Sequence, residues 1–201
     1  MYNLLLSFIA YLIGSISFGV IISNAFGLSD PRAYGSHNPG ATNVLRSGNK
    51  IAAALTLSGD YLKGWLAASL IQRYGTQFGL NDFGIALAVV STLVGHLWPI
   101  FFQFSGGKGV ATLLGTLIGI NFYLGMCTAI IWLTIAFTFR YSSLSALVTS
   151  LLSPFSYFFI KGADIIFCAI IVMSTLVIYR HAQNIRNLLS NKEKRINFRK
   201  N

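Results

Sequence analysis

The sequence is poor in acid. Only 5 of its 201 residues are Asp or Glu, and charged residues make up 10% of the chain. The five, Asp30, Asp60, Asp82, Asp164 and Glu193, are scattered. No carboxylate cluster is therefore available to hold a magnesium ion or a metal pair, and no metal site or other cofactor is expected. There are two cysteines, Cys127 and Cys168, both in apolar segments and without metal-ligand spacing. No disulfide is implied, and both read as small packing residues. The GxSxG signature of a nucleophile elbow is missing. Also missing are internal repeats, low-complexity tracts and any stretch polar enough for a separate soluble domain.

What is present is hydrophobicity, at 54% of residues. Soluble domains carry about 25% charged residues. Long continuous apolar runs, rather than short alternating ones, indicate an all-α integral membrane protein. Residues 1–23 have no basic leader and form too long an apolar run for a signal peptide, so they read as a retained first span. Apolar segments cover residues 3–25, 51–71, 83–102, 110–139, 144–160 and 165–179. The run 110–139 decides the span count. Kept whole it gives six spans. Divided near residues 121–125 it gives seven, with two short helices of about 14 residues against a ~30 Å core. Seven is preferred on charge. It puts the loop 28–50, the Gly-Lys loop, Arg140 and the basic tail on one side, taken as cytoplasmic, and leaves Arg73, Asp82, Lys161 and Asp164, which sum to zero, outside. Residues 1–201 thus read as a single transmembrane domain with a basic cytoplasmic tail at about 186–201 and an N-terminus outside. The net charge of +10 fits this positive-inside reading, and nucleic acid is not the expected partner.

Five segments could carry chemistry. In FSGGKGVAT, Gly106, Gly107, Lys108 and Gly109 precede an apolar helix, so backbone N–H groups, a point charge and a helix N-terminus could all face an anion. The loop does not match GxxxxGK[ST]: Phe102 stands at its first glycine and Gly109 where Ser or Thr is required, which argues against nucleotide hydrolysis. A tight turn with a snorkelling lysine is the plain alternative. In YGSHNPGATNVLR, Asn38 reads as an N-cap with Pro39 in the first helical position, and Gly40 belongs to the same turn. Asn43 and Arg46 would share a face, and Ser36 could point to the same phosphate. An amphipathic connector would need nothing more. In RYSSL the serines read as N-caps or as site hydroxyls. In YRHAQNIRNLL, His181 and Asn184 lie three apart on one helix face, either at a site or at an interfacial anchor. Finally Asp60, with Lys63, sits inside a membrane segment, where charges are costly and often functional, or simply paired. His96, near the end of the third segment, reads equally as a packing and as a site residue.

GSHNPGATNVLR, GHLWPIFFQFSGGKGVAT, RYSSL and RHAQNI, with DYLKG, resemble the signature segments of the bacterial acyl-phosphate-dependent glycerol-3-phosphate acyltransferases, over essentially the full length. The His-x4-Asp pattern of the usual glycerol-phosphate acyltransferases is lacking: His37, His96 and His181 lead to Thr42, Phe101 and Arg186. The resemblance implies seven spans in the bacterial inner membrane, a cytoplasmic site, and transfer of an acyl group from acyl phosphate to glycerol 3-phosphate, giving lysophosphatidate and phosphate for phospholipid synthesis. It carries phosphate binding onto Ser36, Arg46, Lys108, His181 and Asn184, with a serine of RYSSL, chiefly Ser143. His37 stands where the family commonly has glycine, and Asn187 where it has arginine.

Acyl phosphate is already activated, so direct attack by the primary hydroxyl is expected, without a covalent acyl-enzyme. Lys108, His181 and Ser143 are the expected catalytic groups. Asn43, Arg46, Asn184 and the glycine loop are expected to bind phosphate, and His37, Asn38, Gly40, Asp60 and His96 to support them. The base is a substrate phosphate oxygen or His181. The acyl tail should lie in a groove open to membrane lipid, in a monomer or weak homodimer. A transporter of a phosphorylated metabolite is the alternative class.

Overall fold

The computed structural model describes residues 2–196, and all regular structure among them is helical. Ten α-helices follow in order: α1 (Tyr2–Gly14), α2 (Phe18–Ala25), α3 (Ala41–Val44), α4 (Lys50–Tyr74), α5 (Asp82–Leu97), α6 (Val110–Ile120), α7 (Phe122–Phe139), α8 (Ser142–Lys161), α9 (Ile165–Arg180) and α10 (Ala182–Leu189). Four segments are long and apolar enough to cross a membrane: Tyr2–Ala25, Asp82–Phe102, Phe122–Phe139 and Ser142–Lys161. The pair α9 and α10, bent by 58°, makes a fifth if taken as one span. Of the basic tail, Arg199 and Lys200 lie outside the described residues.

Small residues let the helices approach closely, as membrane packing requires where lipid is as apolar as leucine. A Cβ on Gly84 would run into Asn3, and one on Gly95 into the backbone of Tyr11 and Gly14, so α1 and α5 pack side by side in parallel. Gly64 meets Thr112, Gly115 meets Tyr61 and Trp65, and Gly119 meets Trp65 and Ala68, which sets α4 parallel to α6. Fully buried Leu93, Leu97, Leu113, Leu117, Ile170 and Met173 fill the space between. Phe8, Ile130, Phe137, Leu151 and Phe159 point outward.

The run 110–139 is divided at Asn121, whose extended backbone ends α6 and whose Oδ1 caps α7 by accepting the Leu124 N–H at 3.0 Å. The two helices are 11 and 18 residues, not near-equal halves. The first apolar segment is broken at residues 15–17, which separates α1 from α2. Other expectations need correction. The helix after the NPG turn begins at Ala41 with Gly40 as N-cap, so neither Asn38 nor Pro39 has its assigned position. Tyr141, not a serine, precedes α8, and no side chain caps that helix. Cys127 and Cys168 are exposed on the outer surface and are not packing residues.

The connections sort by end. Asn3 donates from Nδ2 to Asn81 Oδ1 at 3.1 Å, which places the start of α1 beside the start of α5. At the opposite end of the bundle, hydrogen bonds join residues 98–109, 140–143 and 180–196, and a further bond ties the segment 28–40 to them.

Candidate functional site

The Gly-Lys loop follows a 3-10 turn at Ile100–Phe102, and its glycines are required by close packing. A Cβ on Gly106 would strike the carbonyl oxygens of His96 and Leu97, and one on Gly107 the His96 imidazole. Gly109 takes φ +86° as the N-cap of α6, a conformation that glycine adopts without strain. The Gly107 N–H donates to the His96 carbonyl at 3.1 Å, so this donor is engaged inside the protein and does not face a ligand. The loop carbonyls are held as well: Arg180 donates from Nη2 to Gly106 O at 2.9 Å and from Nε to Gly107 O at 3.2 Å. Its guanidinium also lies 5.8 Å from the centre of the Trp98 ring.

Lys108 projects from this clamped loop and donates from Nζ to Asn184 Oδ1 at 2.6 Å. Asn184 in turn donates from Nδ2 to Glu193 Oε1 at 2.8 Å, and Ser143 Oγ donates to the same oxygen at 2.6 Å. Three expected site residues thus form one hydrogen-bonded chain. Burial is the main influence on the Lys108 ammonium and pushes its pKa down; Glu193 opposes this, while the charges of Arg180 and Arg46 add to it. Two cationic neighbours around a half-buried lysine make a field in which an anion is favoured.

His181 is the hinge between α9 and α10, so it does not share a continuous helix face with Asn184. Its Nδ1 lies 2.8 Å from the Val177 carbonyl. A carbonyl can only accept, so Nδ1 carries a proton, and in the neutral ring Nε2 keeps a lone pair.

The segment 28–46 is organised from within. Asn43 is 1% exposed, and its amide is fully engaged. Its Nδ2 donates to Pro31 O at 2.7 Å and Tyr34 O at 3.1 Å, while its Oδ1 accepts from the Ser36 N–H at 3.0 Å and Arg46 Nη1 at 3.3 Å. Asn43 therefore holds Ser36 and Arg46 in place and offers no free amide outward. Both of those side chains are exposed. Among the described residues no hydrogen bond joins them to Lys108, Ser143, His181 or Asn184; Arg46 reaches Lys108 only through its charge. Arg32 pins the segment to the bundle, donating to Phe102 O at 3.2 Å while paired with Asp30 at 2.7 Å. The Arg32 guanidinium holds the Asp30 carboxyl below its ordinary pKa. His37 lies at the surface with Nδ1 3.0 Å from Arg32 O, and the half-buried Asn38 belongs to the turn before α3. Asp60 and His96 sit beneath the loop, away from the Lys108 chain.

Two residues escaped the sequence reading. Arg180 has no role assigned from the sequence, although its place immediately before His181 is a signal. Glu193, the last of five acidic residues and set among Lys192, Lys194 and Arg195, looked like part of a solvated tail.

The family model for glycerol-3-phosphate acyltransferase matches residues 4–191. The chain is 55% identical over 191 residues to the glycerol-3-phosphate acyltransferase of Janthinobacterium sp. (strain Marseille), covering 95% of each. It is 55% identical over 200 residues to that of Cupriavidus taiwanensis, covering 100% of this chain and 99% of the relative. Among solved structures, the glycerol 3-phosphate form of PlsY (YgiH), an integral membrane glycerol 3-phosphate acyltransferase, superposes with TM-score 0.91 at 34% identity, over 98% of this chain and 96% of that one. Its lysophosphatidic acid form gives 0.89, with the same identity and coverage. A full-length match in sequence and in helix arrangement leads to one conclusion: this integral membrane protein belongs to the glycerol-3-phosphate acyltransferase family.

Proposed function

We propose that the protein transfers an acyl group from acyl phosphate to the primary hydroxyl of glycerol 3-phosphate, releasing phosphate and 1-acyl-glycerol 3-phosphate. The observation that carries this is the convergence of Lys108, Asn184 and Ser143 in one chain of bonds, with Arg46 and Arg180 in range and the His181 hinge on the same polypeptide turn. Such a cluster suits substrates that each carry a phosphate.

The hydroxyl oxygen forms the new ester bond to the acyl carbon as the bond from that carbon to the phosphate oxygen breaks, and the electron pair leaves with phosphate. The hydroxyl proton passes to a substrate phosphate oxygen or to His181 Nε2, which the Val177 bond leaves as an acceptor. Lys108, Arg46 and Asn184 hold phosphate, with Ser36 and Ser143 as further contacts. Because Gly107 is engaged, stabilisation of the leaving phosphate falls to Lys108 and to the first turn of α6. Asn38 and Gly40 shape the turn that presents Ser36. The acyl tail takes the groove of about 510 Å³ between α8 and α9, lined by Ser150, Leu151, Phe155, Phe158, Phe167 and Ile178. Ile178, the last lining residue on α9, sits three positions before His181.

In this reading the protein spans the bacterial inner membrane seven times, with α1 and α2 as one span, followed by α4 to α9. The N-terminus is outside, the site and tail are cytoplasmic, and residues 1–201 are one domain acting as a monomer or weak homodimer. The test is purified protein in detergent with acyl phosphate and glycerol 3-phosphate, assayed for lysophosphatidate. Product from acyl phosphate but not from acyl-CoA is expected. Product from acyl-CoA alone refutes the donor, and no product from either refutes the acyltransfer.

A further inference from the structure

Beneath the glycine loop lies a charged cluster that the proposed chemistry does not use. Asp60 and Lys63 are 3% and 4% exposed, inside α4. The Lys63 ammonium is 2.9 Å from Asp60 Oδ1 and donates to the Ile16 carbonyl at 2.6 Å. That carbonyl belongs to the break between α1 and α2, where the helix offers it no partner. The Asp60 carbonyl accepts from Thr112 Oγ1 of α6 at 3.0 Å. The same Asp60 Oδ1 is 3.5 Å from Nδ1 of His96, itself 8% exposed. The far side of the His96 ring faces Gly107: the three nearest atoms to a Cβ built there are His96 Nε2, Cε1 and Cδ2. Gly107 does not have a positive φ, so the obstacle to a side chain there is contact, first of all with this ring.

We infer that His96 is a positioning residue: its imidazole, lodged with Nδ1 3.5 Å from Asp60 Oδ1, fixes the height of the Gly-Lys loop and so the place of Lys108. His96 touches the loop twice, through its carbonyl to the Gly107 N–H and through its ring to the Gly107 Cα face. From above, Arg180 fastens the carbonyls of Gly106 and Gly107. The loop is thereby held between a ring and a guanidinium, one residue from the lysine that meets the substrate. Gly107 is glycine because of His96, not because a phosphate needs its N–H. The inference rests on the proposed role of Lys108 as phosphate ligand.

A double-mutant cycle between positions 96 and 107 tests it. Gly107→Ala pushes a methyl into the ring and displaces Lys108; misplacement of a catalytic group by about 1 Å costs about 100-fold in rate. His96→Asn keeps an amide at the Nδ1 position toward Asp60 and removes the outer ring atoms. The double variant has room for the methyl and recovers at least about tenfold of the Gly107→Ala loss in kcat/KM. The recovery appears in kcat and in the KM for glycerol 3-phosphate. His96→Ala, which lacks the amide toward Asp60, recovers less when paired with Gly107→Ala. Losses that multiply without recovery overturn the inference. So does recovery of thermal stability without recovery of kcat/KM, since that is packing alone. If the wild-type chain makes no lysophosphatidate, the acyltransfer reading fails on its own. The stability cycle in detergent then still decides whether residues 96 and 107 are matched: additive shifts in the unfolding midpoint overturn the match.

Discussion

Replacing Glu193 by glutamine keeps size and shape and removes one charge. Two donors converge on Oε1, Ser143 Oγ at 2.6 Å and Asn184 Nδ2 at 2.8 Å. A hydrogen bond to a charged group is worth about 1.5–3 kcal/mol and a neutral one about 0.5–1.5 kcal/mol. Two bonds weakened by about 1 kcal/mol each give about 2 kcal/mol, and partial exposure of the carboxylate reduces this to about 1–2 kcal/mol. That is roughly 5- to 30-fold. The loss falls on the site because Asn184 loses its fixed orientation: a rotated amide turns its NH2 toward the Lys108 ammonium, where Oδ1 now accepts at 2.6 Å. Initial rates of lysophosphatidate formation by purified Glu193→Gln protein should therefore show about tenfold lower kcat/KM for glycerol 3-phosphate. Glu193→Ala, which leaves both donors unpaired, should lose more. Unchanged or increased kcat/KM would refute the reasoning, and an increase would mean that the carboxylate competes with anionic substrate.

Lys108 binds an anion only while protonated, and its pKa lies below the ordinary lysine value, so activity should fall as pH rises through that depressed pKa. Glu193 opposes the depression, so the alkaline fall of kcat/KM in Glu193→Gln should move to lower pH; Arg46→Gln removes a depressing charge and should move it to higher pH. Lys63→Met leaves Asp60 as an unpaired buried charge and Ile16 O without a donor, which costs about 3–5 kcal/mol. Its thermal unfolding midpoint in detergent should drop sharply, and an unchanged midpoint counts against the buried pair. With Cys127 and Cys168 replaced by alanine, Ser190→Cys and Lys161→Cys should label with a membrane-impermeant thiol reagent from opposite faces of the membrane; labelling from the same face would break the seven-span reading.

Legibility differed by kind of feature. The division near Asn121 was readable because a lone polar residue in an apolar run ends one helix and caps the next. The Asp60–Lys63 pair was readable because unpaired charges do not persist in a bilayer. The break at residues 15–17 was hidden, since serines in an apolar run give little local signal and the stabilising donor, Lys63, comes from another helix. The N-cap at Asn38 was misplaced because the Asn-Pro-Gly turn runs two residues further before the helix begins. Asn43 was read as a ligand group because spacing shows which face a residue shares, not whether its amide is already engaged.

By itself, the sequence determined that the chain is helical and membrane-embedded, because long apolar runs with little charge have no other stable arrangement. Its motifs pointed to Lys108, His181 and Asn184 as residue types that suit an anion, and the family resemblance added Ser143. Only the tertiary structure decided how those motifs meet. Glu193 links Ser143 to Asn184, Arg180 clamps the glycine loop, and the Gly107 N–H turns inward to His96. Each is a contact between distant segments, set by how closely the glycine-bearing helices approach, and no local pattern encodes it.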